Sequence, residues 1–300
     1  MILSKLKKPS IRFIAIGASA FAALMIAIAL ILYPTVPPLG AGSRFMVHQP
    51  DGVTPGHPFA FRDPDRYALI IYVNGSTAES KPDPCNTSRP GLNIPKTATD
   101  LVGQRIGGYE ILLYAFCTPT KIGGFNQPES DGIPKVIRRA DELQALLAYI
   151  ARTGFPPERT FVMGQSAGGW AGLLVQRRGQ TPFAGLVAFA PAFAGHTGRR
   201  KDVWQQERDR QAAFIAQAPR LNALVYGFEQ DRFEPPQVME WLRAVPGVTY
   251  VTLSGRSLYG MDCDNKAPHV TVFKDCFRYF QQRRILDYLA AQLPAAVPQM

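Results

Sequence analysis

Thr160-Phe161-Val162-Met163-Gly164-Gln165-Ser166-Ala167-Gly168-Gly169-Trp170-Ala171-Gly172-Leu173-Leu174-Val175 is the stretch on which the fold turns. Its first four residues are a short β-prone run of buried-strand character, and from Ala167 to Arg178 the pattern is helical. Between them stands Gly164-Gln165-Ser166-Ala167-Gly168, a G-x-S-x-G motif at a strand-to-helix junction. A serine there sits on a tight turn, with glycines at positions where the backbone has no room for a Cβ. The turn lifts the hydroxyl clear of the sheet and into the partial positive charge of the helix N-terminus. A serine N-cap flanked by packing glycines would read the same locally, so the motif has to be weighed with its surroundings.

Working outward, apolar runs and helical periodicities alternate. Tyr67–Val73 and Glu110–Phe116 read as buried strands that end in turn signals. Pro134–Thr153 carries Val136, Ile137, Ala140, Leu143, Leu146, Leu147 and Ile150 at helical spacing, with Gly154 as its stop. Gly185–Ala190, Leu221–Gly227 and Val248–Leu253 read as further strands. Asp202–Ala218, Pro236–Ala244 and about Asp275–Leu293 read as helices. This order calls for an α/β fold, with a mainly parallel sheet covered by helices on both faces.

A serine hydroxyl becomes a nucleophile only beside a base, and the base needs an acid to hold its tautomer. The chain has four histidines. His48 and His57 fall in the proline-rich entry segment, and His196 follows the strand Gly185–Ala190. His269 lies in a loop between the last strand and the last helix, at the C-terminal edge of the sheet. Asp231 follows the strand Leu221–Gly227 by four residues, giving the chain order Ser166, Asp231, His269. Glu229, Glu234, Asp262 and Asp264 are rival acids. Ser257 misses the elbow spacing by one residue and lacks a following helix.

At these residues the chain resembles the α/β-hydrolase family over about Tyr67 to Leu293. The resemblance implies Ser166 as nucleophile, His269 as general base and then acid, and Asp231 as the orienting carboxylate. It implies an oxyanion hole from the backbone N–H of Ala167 and that of Ser76, in the turn Asn74-Gly75-Ser76 after the first clear strand. It further implies ester hydrolysis through an acyl-enzyme, with a peptidase, an acyltransferase or a non-catalytic binding module as alternatives. A small cap near 191–221, led by Arg199-Arg200-Lys201, would cover the site. The order of strands in such a fold brings Cys117 to the loop holding Cys85, and a second pair, Cys263–Cys276, would bracket His269. The implied partner is a small-molecule ester or acyl substrate, with no cofactor and no metal.

The N-terminus adds an address. Phe13–Tyr33 is an uncharged run of 21 residues, roughly 31 Å as a helix and about the thickness of a bilayer core. Lys5, Lys7, Lys8 and Arg12 precede it, which sets 1–12 in the cytoplasm and sends the rest of the chain across the membrane. The run exceeds the h-region of a signal peptide, so the reading is an uncleaved anchor over 13–33, with secretion after cleavage as the alternative. Pro34–Ser43 then reads as a partly extended tether, and 44–300 as the catalytic domain on the extracytoplasmic side, where disulfides form.

Composition excludes several other classes. The chain of 300 residues is 46% hydrophobic and 19% charged, a globular balance. Its 33 Lys+Arg against 23 Asp+Glu give +10, four of the positives lying before the apolar run, and the remainder is too diffuse for nucleic acid. Four cysteines without close pairs make neither a disulfide scaffold nor a zinc site. No 20–50-residue repeat, P-loop or dinucleotide fingerprint is present. An uncleaved anchor predicts that protein extracted from its native membrane has an intact N-terminus by mass spectrometry. A product starting near Ala41 or Ser43 would mean a cleaved signal peptide instead.

Overall fold

The computed structural model describes residues 35–46, 57–76, 85, 93–120, 133–193, 195–254 and 268–295. The expected basic segment 1–12 and membrane helix 13–33 lie outside them. No helix among the described residues is long and apolar enough to cross a membrane. The chain divides into two compact units, Met1–Val36 and Pro37–Met300, and the architecture below is that of the second.

Strand β2 (Tyr67–Val73) has all seven residues buried, as a strand needs when helices cover both faces of its sheet. Its side chains alternate between two cores. Leu69, Ile71 and Val73 join Leu143 and Leu146 of helix α2 (Lys135–Arg152) and Trp170 and Leu173 of α3 (Ala167–Arg178). Ala68, Ile70 and Tyr72 join Phe277, Ile285 and Leu289 of the last helix, α6 (Asp275–Gln292).

Among the described residues the sheet has eight strands, the others being β1 (Arg44–Phe45), β3 (Arg105–Ile106), β4 (Tyr109–Phe116), β5 (Thr160–Gln165), β6 (Gly185–Phe189), β7 (Ala223–Phe228) and β8 (Val248–Leu253). The order is β1-β4-β2-β5-β6-β7-β8, with β3 paired to β4. Only the two-residue strands β1 and β3 run antiparallel. From β2 the chain steps to β4 on one side and then returns to β5 on the other, so the strand order reverses at β2. A crevice opens at such a reversal, outside the carboxyl ends of the strands. Val73 pairs with both Phe116 and Gly164, which puts the turns leaving β2 and β5 side by side at that crevice.

The strands and long helices follow the sequence pattern to within a residue or two. Pro236–Ala244 differs: it forms one α turn, α5 (Pro236–Met239), and then tightens to a 3-10 helix over Glu240–Ala244. The short strands β1 and β3 and the single turn α1 (Lys96–Thr99) carry too few residues to leave a periodic signal.

Two expectations need revision. Pro34–Ser43 is not a free tether along its whole length: the Gly40 N–H donates to the Cys117 carbonyl at 2.8 Å, and the Ser43 hydroxyl accepts from the Cys117 N–H at 3.0 Å. Small residues let this backbone lie against the end of β4. The 191–221 segment is only partly a cap. Its helix α4 (Asp202–Ala216) buries Ala212 and Ile215 in the core beside α3, as a crossover from β6 to β7 does, while Ala192 and His196, earlier in the segment, reach Ser166 and Phe233.

Cys85 and Cys117 form a disulfide with Cα atoms 5.6 Å apart. Cys276 is also disulfide-bonded, and its expected partner Cys263 lies outside the described residues. The Cys85–Cys117 bond closes 32 residues of chain, a constraint on the unfolded state worth about 3 to 4 kcal/mol in the chain-entropy model. Replacing both cysteines by serine is expected to lower unfolding stability by that order in urea titration, and non-reducing peptide mapping should recover the 85–117 linkage from the wild type.

Candidate active site

Ser166 sits between β5 and α3 with φ 54° and ψ −121°, a conformation that non-glycine residues rarely adopt and that costs on the order of 1–3 kcal/mol. Among the described residues the other non-glycine positions with positive φ are Ala190 and Gln230, after β6 and β7. All three stand at the carboxyl ends of successive parallel strands. The strain is held by packing. A Cβ on Gly168 would strike the Val73 carbonyl, so only glycine lets α3 start this close to the end of β2. The Ser166 N–H donates to Phe189 O at 2.9 Å, and the Ser166 carbonyl accepts from Trp170 at 3.0 Å and from Ala192 at 3.1 Å.

His269 comes from the 3-10 segment Pro268–Phe273 that leads into α6. Its Nε2 lies 2.8 Å from Ser166 Oγ, and its Nδ1 lies 2.7 Å from Asp231 Oδ2. The carboxylate keeps the ring proton on Nδ1, which leaves the Nε2 lone pair to accept from the serine hydroxyl. Asp231 is fixed in turn, because its Oδ1 accepts from the Phe233 N–H at 2.9 Å. All three residues are buried.

The rival candidates are engaged elsewhere or lie outside this chain of contacts. Glu234 accepts from Arg200 at 2.7 Å and from Arg208 at 2.8 Å, in a buried ion triad. Glu229 is exposed. His57 meets the Tyr149 hydroxyl at 3.2 Å, and His196 packs edge-on against Phe233. Asp262, Asp264, Ser257 and His48 lie outside the described residues. In the basic triplet, Arg199 and Lys201 face solvent, whereas Arg200 is buried against Glu234.

The Asn74-Gly75-Ser76 turn abuts the elbow. A Cβ on Gly75 would lie 2.9 Å from Ser166 Cβ and would also collide with the Gln165 side chain. The Asn74–Ser76 turn and the start of α3 at Ala167 therefore meet at the serine from two chain segments, and among the described residues neither the Ala167 nor the Ser76 N–H donates to a backbone carbonyl.

Two residues that sequence reasoning passed over hold this arrangement. Gln165 Nε2 donates to the His269 carbonyl at 3.2 Å and ties the histidine segment to the elbow. Arg139 is buried on α2, where its Nη2 donates to the Asn74 carbonyl and its Nη1 reaches Ser76 Oγ at 3.4 Å. Burial pushes its guanidinium down to about 10, against the opposing pull of Glu142 and Tyr72, so it remains a cation at neutral pH. The signal for Arg139 was a charged residue on an apolar stripe, three positions after Val136 and four before Leu143. Gln165 leaves no such signal, since the motif accepts any residue there.

No protein-family model matches the chain, and no curated protein matches its sequence. Solved structures do. A thermophilic esterase from the planctomycete Thermogutta terrifontis aligns at TM-score 0.50 and 13% identity, over 88% of this chain and 96% of its own. A monoacylglycerol lipase from Paleococcus ferrophilus (TM-score 0.47, 14% identity, 75% and 94%) and an S-formylglutathione hydrolase from Agrobacterium tumefaciens (0.47, 15%, 86% and 98%) also align. The chain has the α/β-hydrolase fold. Within that fold Ser166 occupies the turn between a central strand and its helix, and Asp231 and His269 follow later strands.

The Glu234 triad gives a stability test separate from any chemistry. Glu234→Ala removes the carboxylate shared by the buried Arg200 and Arg208 guanidinium groups, with only the exposed Asp209 still at Arg208, and removing one partner of a buried pair costs about 3–5 kcal/mol. Urea unfolding should register a loss of that size, while substitution of the exposed Glu229 should change stability by less than about 0.5 kcal/mol.

Proposed function

We propose that the protein is a serine hydrolase that cleaves a carboxylic ester through an acyl-enzyme. The hydrogen-bonded chain Ser166 Oγ to His269 Nε2 to Asp231, at 2.8 and 2.7 Å, carries this reading. Similarity in fold to esterases, lipases and other hydrolases supports it.

In the proposed reaction Ser166 Oγ attacks the ester carbonyl while His269 Nε2 takes its proton. Asp231 steadies the imidazolium that results. The carbonyl oxygen becomes an oxyanion facing the N–H groups of Ala167 and Ser76, the first of which also opens helix α3. Collapse expels the alcohol, which takes the proton back from His269, and leaves the acyl group on Ser166. Water then repeats the sequence, giving up a proton to His269 as it attacks and releasing the acid. Arg139 holds the Asn74–Ser76 turn in place from behind. No step calls for a metal or cofactor. An amide or a second alcohol as substrate would use the same groups, which makes peptidase and acyltransferase chemistry the alternatives, and loss of turnover in a folded protein would leave a binding module.

We further propose, from the apolar segment Phe13–Tyr33 and the basic residues before it, that the domain lies on the extracytoplasmic side of a membrane, anchored there or secreted after cleavage. The Cys85–Cys117 disulfide supports an oxidising compartment.

Ser166→Ala is expected to lower kcat for p-nitrophenyl esters by at least about 10⁴-fold, with the fold intact by circular dichroism. Wild-type kcat/KM should rise with pH as the imidazole loses its proton and then level off, and His269→Ala should abolish that limb. Turnover unchanged in Ser166→Ala would refute the assignment.

A further inference from the structure

Phe233 does three things in one turn, and none of them follows from the triad itself. Its backbone N–H donates to Asp231 Oδ1 at 2.9 Å. Its ring lies against the His269 imidazole, with centroids 4.1 Å apart and planes inclined by 32°. Its carbonyl accepts from the Thr197 hydroxyl and, at 3.3 Å, from Arg200, whose guanidinium is itself anchored on Glu234. These bonds tie the Phe233 backbone to the buried ion triad, and from that fixed backbone the half-buried ring lies against the imidazole.

The geometry points to Phe233 as a positioning residue for the proposed reaction: its aromatic face is a shelf that orients His269 and favours the imidazolium formed as Ser166 attacks. The face of an aromatic ring carries negative potential and attracts a cation stacked on it, most strongly where water is excluded. The neutral imidazole of the resting state gains little from that potential, so the interaction grows as the proton moves to Nε2. An interaction stronger in the transition state than in the ground state raises kcat rather than lowering KM. The inference rests on the reading of Ser166, His269 and Asp231 as nucleophile, base and acid.

The charged groups around the shelf are accounted for among the described residues. Asp231 bonds His269 on the edge away from Ser166. Glu234 is matched by Arg200 and Arg208, and Asp209 by Arg208. Glu229 and Arg232, on the same turn as Phe233, are exposed. His196 also packs against the Phe233 ring, edge-on with centroids 4.6 Å apart, and is a second imidazole at this ring. The two effects that a change at Phe233 could have on His269 run in opposite directions. Losing the aromatic face disfavours the imidazolium and moves the rise of kcat/KM to lower pH. Merely admitting water favours the imidazolium and moves the rise to higher pH.

The test is the pH profile of ester hydrolysis in Phe233→Leu, Phe233→Met and Phe233→Tyr, each in a His196→Gln background so that the second imidazole does not contribute. Thermal melting of each variant is run alongside. The side-chain changes leave the N–H bond to Asp231 in place, so they isolate the ring. Leu and Met should lower kcat about tenfold with KM little changed, and should move the midpoint of the rise to lower pH by about half to one unit. Tyr, which keeps the ring, should stay within about threefold of the parent and hold its midpoint. Leu serves as the test where Met fails to fold, and Met where Leu does. A midpoint that stays put or moves to higher pH in a folded Leu or Met variant overturns the shelf, as does an unchanged kcat. If both unfold while Tyr is wild-type in every respect, the ring is a structural support and the proposal also fails. A parent with no rising limb that His269→Ala removes refutes the hydrolase reading itself, an outcome separate from the others.

Discussion

The backbone of Ser166, held at φ 54° and ψ −121° between β5 and α3, is the constraint on which the rest of the site depends. A serine in an ordinary helix N-cap conformation would direct its hydroxyl at its own helix. In this turn the hydroxyl projects from the sheet edge toward His269. The strain of about 1–3 kcal/mol persists because the surroundings over-determine it. Gly168 lets the helix press on the end of β2, Trp170 is fully buried beneath it, and the serine backbone bonds to β6 and to the segment that follows it.

A strained elbow alone would be inert. Its partners arrive from segments that sequence separates by 65 and 103 residues, and those segments are loops, which are mobile unless pinned. The pins are polar and specific. Gln165 holds the histidine segment by its backbone, the Phe233 N–H holds the aspartate, and the Glu234 triad holds the turn that carries both Asp231 and Phe233. On the other flank Arg139 holds the Asn74–Ser76 turn. Apart from the part-buried Phe233 bond these pins are buried, where an unpaired polar group is costly, so the bonds that order the site also make its disassembly unfavourable.

The strands and the elbow were legible because a parallel sheet covered on both faces leaves unbroken apolar runs, and because glycines at 164 and 168 record a close approach. Asp231 and His269 were legible from their positions after strands, though the sequence left Glu229, Glu234, Asp262 and Asp264 as lesser rivals of the aspartate. What separates Glu234 from Asp231 is tertiary: two arginines on the 195–208 segment, distant in sequence from the turn, take up its charge. The packed stretch at Gly40–Ser43 was missed for the opposite reason, since proline- and glycine-rich sequence looks like a linker whether or not a neighbouring strand end is waiting to bond it. Gln165 and Phe233 act through contacts that no local pattern encodes, and Arg139 left only the sign of a charged residue on an apolar stripe, not the turn it would bond.

The central claim is covalent, and the most direct measurement is the mass of the protein during turnover. Rapid acid quench of the enzyme with excess p-nitrophenyl ester, followed by peptide mass spectrometry, should find the acyl group on the peptide containing Ser166 and on no other, with a burst of nitrophenol matching the amount of enzyme. Steady turnover with no adduct on Ser166, or an acyl group carried by a different residue, would contradict the account.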